Sequence, residues 1–430
     1  MPMKAGGMRS PARYAWFVLA MLVMSYGFNF MDRYLFIISM ESIRKDLHLT
    51  DTQLGIISGF AFAAFYSVAG VFVARWADRG NRALMIPVAL TVWSALTGAC
   101  GLARNFLQLL LVRVGVGVAE SAGSPPALSM LSDLFPPQRR ATAFALYSSG
   151  IYLGMALGFV IGGWVGDHYG WRWSFVTGAV PGMLFALLMR LTVREPARGA
   201  ADDTHVERQA YGVQDTLRYL ARRPTFLVYM LGSALFVFVG TAMDYWGPLF
   251  MIRVHGMNAA SVGLWTGALG ATVGITGAFI SGVLSDRLAG YDLRWYLAVS
   301  IGGIALEVPA TLLFLYGPAH TAVLWYCVSL FFDSFSMPAT LAITHRIMPI
   351  RLRALASAIM LLGYNLIGVS GCNFVIGFFS DLWAGLGATR SLQYAMTLTQ
   401  VAVLIGAACT LYAVSRLPRD FPQHFPARGG

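Results

Sequence analysis

ESAGSP at residues 120–125 and DSFSMP at residues 333–338 are one pattern met twice: an acid, then a proline five positions on, repeated at an offset of 213. Both lie inside long apolar runs, where neither an acid nor a proline is expected without a reason. Working outward, other pairs recur at nearly the same spacing. MDRY carries Asp32 and MDYW carries Asp244, 212 apart; Asp78 and Arg79 in ADRGNR match Asp286 and Arg287 in SDRLAG, 208 apart; Arg140 in PPQRRA and Arg353 in PIRLRA are again 213 apart. Four independent matches at nearly one offset mark a duplicated unit. Duplicated helical bundles with a site near the bilayer midplane are an arrangement found in transporters.

The rest of the chain says what that unit is made of. Of 430 residues, 57% are apolar and 12% charged, against about 25% charged in a soluble domain. A run of about 20 apolar residues crosses the hydrocarbon core. Such runs fall near 14–38, 54–75, 83–103, 106–131, 142–166 and 172–193, and again near 225–251, 261–285, 294–317, 321–346, 354–380 and 393–416. The expected fold is therefore an all-α membrane protein of twelve transmembrane helices in two pseudo-symmetric six-helix bundles. The bundles span 1–194 and 224–430, joined by a cytoplasmic linker over 195–223. Within the linker, VQDTLRYLARRP sets Val213, Leu217 and Leu220 on one face, the spacing of a short interfacial helix. The first run is too long for the core of a cleaved signal peptide.

The net charge of +11 is a matter of topology and not of nucleic-acid binding. Of the 31 Lys and Arg residues, 23 fall on the side of the N-terminus, six on the other and two, Arg33 and Arg113, within spans. That bias puts both termini in the cytoplasm of a plasma membrane, with attraction to anionic membrane lipids. The four cysteines lie in spans without metal-site spacing. His168, His255, His320 and His424 read as solvated loop or tail residues. No phosphate-cradling GxxxxGK[ST], metal cluster or catalytic triad is present, so neither a cofactor nor an enzyme activity is expected.

ARWADRGNR, at 74–82, resembles the major facilitator superfamily signature G-x-x-x-D-R-x-G-R-R, with Ala74 in place of the first glycine and Asn81 in place of the second; GVLSDR keeps Gly282, Asp286 and Arg287. Within that superfamily, NFMDRYL (29–35), RVGVGVAESAGSPPALSMLSDLFPPQRRATA (113–143) and GWVGDHYGWRWSF (163–175) resemble bacterial members of the Spinster group. The resemblance implies two bundles around a central cavity, and uniport or proton-coupled transport of amphiphilic lipids. It also implies that the third helix of each triplet, which carries Glu307, lies outside the cavity.

Seven ionisable residues fall within spans: Asp32, Arg33, Arg113, Glu120, Asp244, Glu307 and Asp333. Each costs about 2.5–3.5 kcal/mol at the bilayer centre, which excludes lipid-facing positions. Asp32 and Arg113 lie at equal depth, about 9–10 Å from one face at 1.5 Å per residue, so a pair between the first and fourth helices is expected. Glu120 is two turns further along the face of Arg113, and Arg33 points about 100° away from Asp32. The second copy keeps acids at Asp244 and Asp333 but has Tyr245 and Tyr326 where the first has arginines. Aromatic residues along the wall (Tyr34, Tyr147, Tyr152, Tyr245, Trp246, Tyr326, Phe332 and Phe335) suit an amphiphile with an anionic head. Glu307 is expected on an outer wall with a local hydrogen bond.

These residues fit a secondary transporter working by alternating access. Asp32, Arg33, Arg113 and Glu120 would form the binding and proton-coupling core, joined by Asp333, Asp244, Tyr245 and Tyr326. Asp78, Arg79, Arg82, Arg140, Asp286, Arg287 and Arg353 would form a cytoplasmic gate. Its partners would be protons, membrane lipids and an anionic or amphiphilic solute, and the chain would act as a monomer. A symporter of sugar acids or other organic anions, a drug exporter and a non-transporting receptor are the alternatives.

Overall fold

The computed structural model describes residues 11–77, 79–199, 220, 223–348 and 352–420. Among the described residues, twelve helices are long and apolar enough to cross a membrane: α1 Arg13–Leu47, α2 Asp51–Gly70, α3 Arg82–Cys100, α4 Phe106–Leu134, α5 Pro137–Tyr169, α6 Trp171–Thr192, α7 Pro224–Arg253, α8 Ala259–Ala289, α9 Trp295–Tyr316, α10 Ala319–Ile347, α11 Ala356–Leu382 and α12 Ala388–Leu417. Among the described residues every regular element is helical. The count agrees with the apolar runs, but several helices outlast them. α1 runs nine residues past the predicted 38 and ends in MESIRKDL, because its charged last turns find partners described below. Of the predicted interfacial helix, Val213 and Leu217 lie outside the described residues, while Leu220 is helical and buried against Phe226 and Leu417.

Local chemistry sets the helix ends. Asn81 and Asn105 cap α3 and α4, accepting hydrogen bonds from Leu84 N at 3.0 Å and Gln108 N at 2.9 Å, which satisfies backbone donors that a helix start leaves orphaned. Thr50 and Gln53 form a reciprocal capping box at the start of α2. The acid-to-proline repeats are helix breaks. α4 is helical to Glu120 and resumes at Ser124, and α10 is helical to Asp333 and resumes at Ser336. Pro125 and Pro338 have no N–H to give the preceding turn, so both acids stand at the end of a half-helix. Gly170 and Gly387 enter α6 and α12 with φ +90°, a conformation open to glycine alone at little cost.

The chain divides into two compact units, 1–36 with 65–207, and 37–64 with 208–430. In the first, Gly150, Gly154 and Gly158 of α5 run parallel to α1, each with no room for a Cβ: its place is taken by the Val23, Gly27 and Met31 carbonyl oxygens in turn. In the second, Gly240 and Gly247 of α7 receive Asp333 and Tyr326 of α10, both pairs seven residues apart on antiparallel helices. Small residues permit such backbone approach where lipid offers no hydrophobic drive.

Candidate functional site

The first unit brings four charges into one buried cluster. The Arg33 guanidinium donates to Glu120 Oε2 from Nη2 at 3.0 Å and Nε at 3.2 Å, and from Nη2 to Asn29 Oδ1 at 3.1 Å. It lies over Phe30 and Tyr66, 4.5 and 5.3 Å from their ring centroids. Asp32 turns the other way and accepts from Thr97 Oγ1 of α3 at 2.8 Å. Arg113 is buried with its guanidinium 4.6 Å from the Phe36 ring centroid. Both acids lie within electrostatic reach of both arginines. The four predicted residues are thus brought together, with Glu120 bound to Arg33 of α1. Glu120 is wholly buried, whereas the Arg33 side chain keeps 15% exposure.

The second unit gathers the acids of the second copy. Asp333 lies against Gly240, one turn before Asp244, and Asp244 stands on a π-helical turn, Ala242–Trp246, a local widening often found at functional sites. Tyr245 is half-buried. Two expectations are corrected here. Tyr326 is fully buried against Gly247 and Phe314, so it presents no open apolar surface. Glu307 is fully buried, and neither carboxylate oxygen accepts a hydrogen bond of good geometry. It faces Asp333 and Asp244 electrostatically, with Ser329 as a polar neighbour, rather than standing on an outer wall.

The Major Facilitator Superfamily family model matches residues 22–372. The chain belongs to that superfamily. An MFS-type efflux pump of Mycolicibacterium smegmatis is 32% identical over 415 residues, covering 96% of this chain and 95% of the pump. Protein spinster homolog 1 of Homo sapiens is 27% identical over 432 residues, covering 94% and 81%. The crystal structure of a bacterial homolog to the human lysosomal transporter Spinster, in an inward-facing and unoccupied conformation, matches at a TM-score of 0.86 and 28% identity, over 98% of this chain and 100% of that one. A D-xylose–proton symporter shares the fold at a TM-score of 0.68 and 15% identity, over 93% and 97%. The chain is a Spinster-like transporter.

In the transporter's signature loop, Arg82 is not placed as a latch residue. It is 1% exposed and held within the first unit, donating to Asp133 Oδ2 at 2.6 Å, Glu195 Oε1 at 2.7 Å and Ser129 Oγ at 2.7 Å. Glu195 also accepts from Ala83 N at 2.8 Å, an anion at the start of α3 where the helix dipole favours it. Arg140 Nε donates to Phe135 O at 3.0 Å, and Asp286 accepts from Tyr296 OH at 2.6 Å. Arg79 and Arg287 are exposed, Arg353 opens the helical segment Arg353–Gly363, and Asp78 lies outside the described residues.

A second ionic cluster was missed by the sequence reading. In the second unit Arg253 of α7 reaches Glu41 Oε2 at 2.8 Å, and Asp51 Oδ2 and Oδ1 at 2.7 and 2.8 Å. Glu41 also takes Arg44 at 2.9 Å, and Asp51 takes the Ser380 hydroxyl at 2.6 Å. Asp381 of α11 accepts the N–H groups of Asp51 and Thr52 at 3.0 and 2.8 Å, capping α2 from another helix. The signal lay in the charged ends MESIRKD and MIR, which windows of apolar residues cut away. His255, expected in solvent, packs edge-on to Phe250 with ring centroids 5.3 Å apart. Burial pushes its pKa below the ordinary 6.5.

Proposed function

We propose that this Spinster-like protein is a proton-coupled secondary transporter of an anionic or zwitterionic amphiphile of the lysophospholipid kind. It would work by alternating access in a plasma membrane, with both termini in the cytoplasm. One observation carries the reading: a part-exposed guanidinium paired to a wholly buried carboxylate, Arg33 with Glu120. A planar guanidinium fork fits phosphate as well as carboxylate. An anionic head group that takes Arg33 leaves Glu120 without its counter-charge in an apolar span, where the neutral acid is the cheaper form. Solute binding and proton binding at Glu120 are then one event, linked through a shared cation. Asp32, beside the same two arginines, is the second carrier in this scheme.

The amides that a compact sugar acid would need are already engaged, which favours the amphiphile. Asn29 holds Arg33, Asn373 accepts from Trp246 Nε1 at 2.9 Å, and Asn365 donates to Leu361 O at 2.9 Å. Phe30 and Tyr66 beside Arg33 supply apolar surface with few polar demands. Export of a drug-like amphiphile is the second reading, favoured by the 32% identity to a protein named an efflux pump. Proteoliposomes decide between them. Lysophospholipid should drive proton movement in the wild type, while Glu120→Gln binds the lipid with proton movement reduced at least tenfold. A sugar acid that stabilises the wild type, with lysophospholipid having no effect, would overturn the amphiphile.

A further inference from the structure

Glu307 has no use in that scheme, yet it is the most deeply placed acid in the second unit. Gly303, one turn before it on α9, has its Cβ position 2.5 Å from Phe335 Cβ of α10, so the two helices meet closely there. Thr311, one turn beyond it, bonds Ser329 of α10 across 3.0 Å. Ser329 in turn is one turn before Asp333. Glu307 is therefore aimed at the Ser329–Asp333 segment, and Asp333 lies against Gly240, one turn from Asp244.

The ionisable groups that act on Glu307 are Asp333 of α10 and Asp244 of α7, both acidic. Among the described residues, the basic side chains on Glu307's own helix and those around it, Arg253 of α7, Arg287 of α8, Arg294 at the start of α9, His345 and Arg346 of α10, and Arg390, Arg416 and Arg419 on the last helical stretch of the chain, all stand at helix ends. A buried carboxylate with neither oxygen hydrogen-bonded, facing two more, is costly as a charge. Interacting buried acids resolve that cost by sharing protons rather than by ionising together.

We propose that Glu307, Asp333 and Asp244 form a second proton-binding site, contained in the C-terminal unit and separate from the Arg33–Glu120 pair. Asp244 and Asp333, each part-exposed, pass protons to and from the closed-off Glu307, with the Ser329 hydroxyl beside it. The site stands whether or not an amphiphile is the solute.

Infrared difference spectra of the purified full chain, between acidic and alkaline buffer, test this without any transport assay. The wild type should show a buried protonated carboxyl band that is lost on alkalinisation. That component should be missing from Glu307→Gln and kept in Glu120→Gln. In Asp333→Asn it should vanish at a lower pH, since one repelling charge is gone; this second variant carries the test if Glu307→Gln does not fold. A Glu307→Gln spectrum identical to wild type would overturn the site.

Discussion

Arg253 shows how much one side chain can hold when its partners are buried. Its guanidinium sits between Glu41 and Asp51, all three side chains less than a tenth exposed. Removing one partner of a buried ion pair costs about 3–5 kcal/mol because the other charge stays behind. Here Arg44 and Ser380 still cover the two acids, which puts Arg253→Ala at the lower end, about 3 kcal/mol. Arg253→Lys should recover part of that loss, since an ammonium cannot serve both acids with a planar fork. Lys45 also pairs with Glu41, at 3.6 Å, but its side chain is 67% exposed; Lys45→Ala should change stability by less than about 1 kcal/mol. Denaturant unfolding of the three variants in one detergent checks the order, and equal losses for Arg253→Ala and Lys45→Ala would refute it.

Among the elements, α1 carries the most consequence because its rotation chooses which of two neighbouring charges faces α4. Asp32 and Arg33 diverge by about 100° around the helix, so both cannot meet Glu120. The glycine ladder of α5 pins α1 from one side, and the outcome is Arg33 toward Glu120 and Asp32 toward Thr97. Gly154→Ala should therefore do more than its size implies: its methyl would overlap the Gly27 carbonyl. Overpacking of this kind costs about 1–3 kcal/mol, and any relief by rotating α1 would pull Arg33 off Glu120. Gly282, the first glycine of the GVLSDR copy, has nothing within 4 Å of its Cβ position. Gly282→Ala, which makes that copy resemble Ala74 in the other, should leave stability within about 0.5 kcal/mol. Thermal unfolding midpoints of the two alanine variants should separate clearly; a Gly154→Ala midpoint at the wild-type value would remove the ladder as a constraint.

At the scale of the whole molecule the open question is orientation, which the charge bias predicts and cysteine labelling in intact cells can test. Cysteines at Gly256, between spans, and at Ala388, the first residue of α12, both exposed, should react with an impermeant reagent from outside, and one at Gly199, exposed on the opposite side of the predicted topology, should not. Asp51, a natural choice from the sequence as a loop residue, is a poor site because it is buried in the Arg253 cluster. Native Cys100 and Cys372 are buried and add little background. Labelling at Gly199 from outside would reverse the assignment of both termini.

The twelve helices, the duplication and the identity of the intramembrane acids were all legible in the sequence, because the length of apolar runs, a fixed offset and the rarity of charge in lipid are one-dimensional signals. Depth was legible too, at 1.5 Å per residue, but depth alone led to an expected Asp32–Arg113 pair, whereas Asp32 accepts from Thr97 and Glu120 takes Arg33. What only the tertiary structure decided was which side chain meets which. The Arg33–Glu120 pair, the confinement of Arg82 to Asp133 and Glu195, the burial of Tyr326 and the turn of Glu307 toward Asp333 all depend on how each helix is rotated about its axis. That rotation is set by close contacts between helices distant in the chain, such as Gly27 with Gly154 and Gly240 with Asp333, and no local periodicity carries it. The Arg253 cluster was hidden for the same reason, since its members are 202 and 212 residues apart and only folding makes them neighbours.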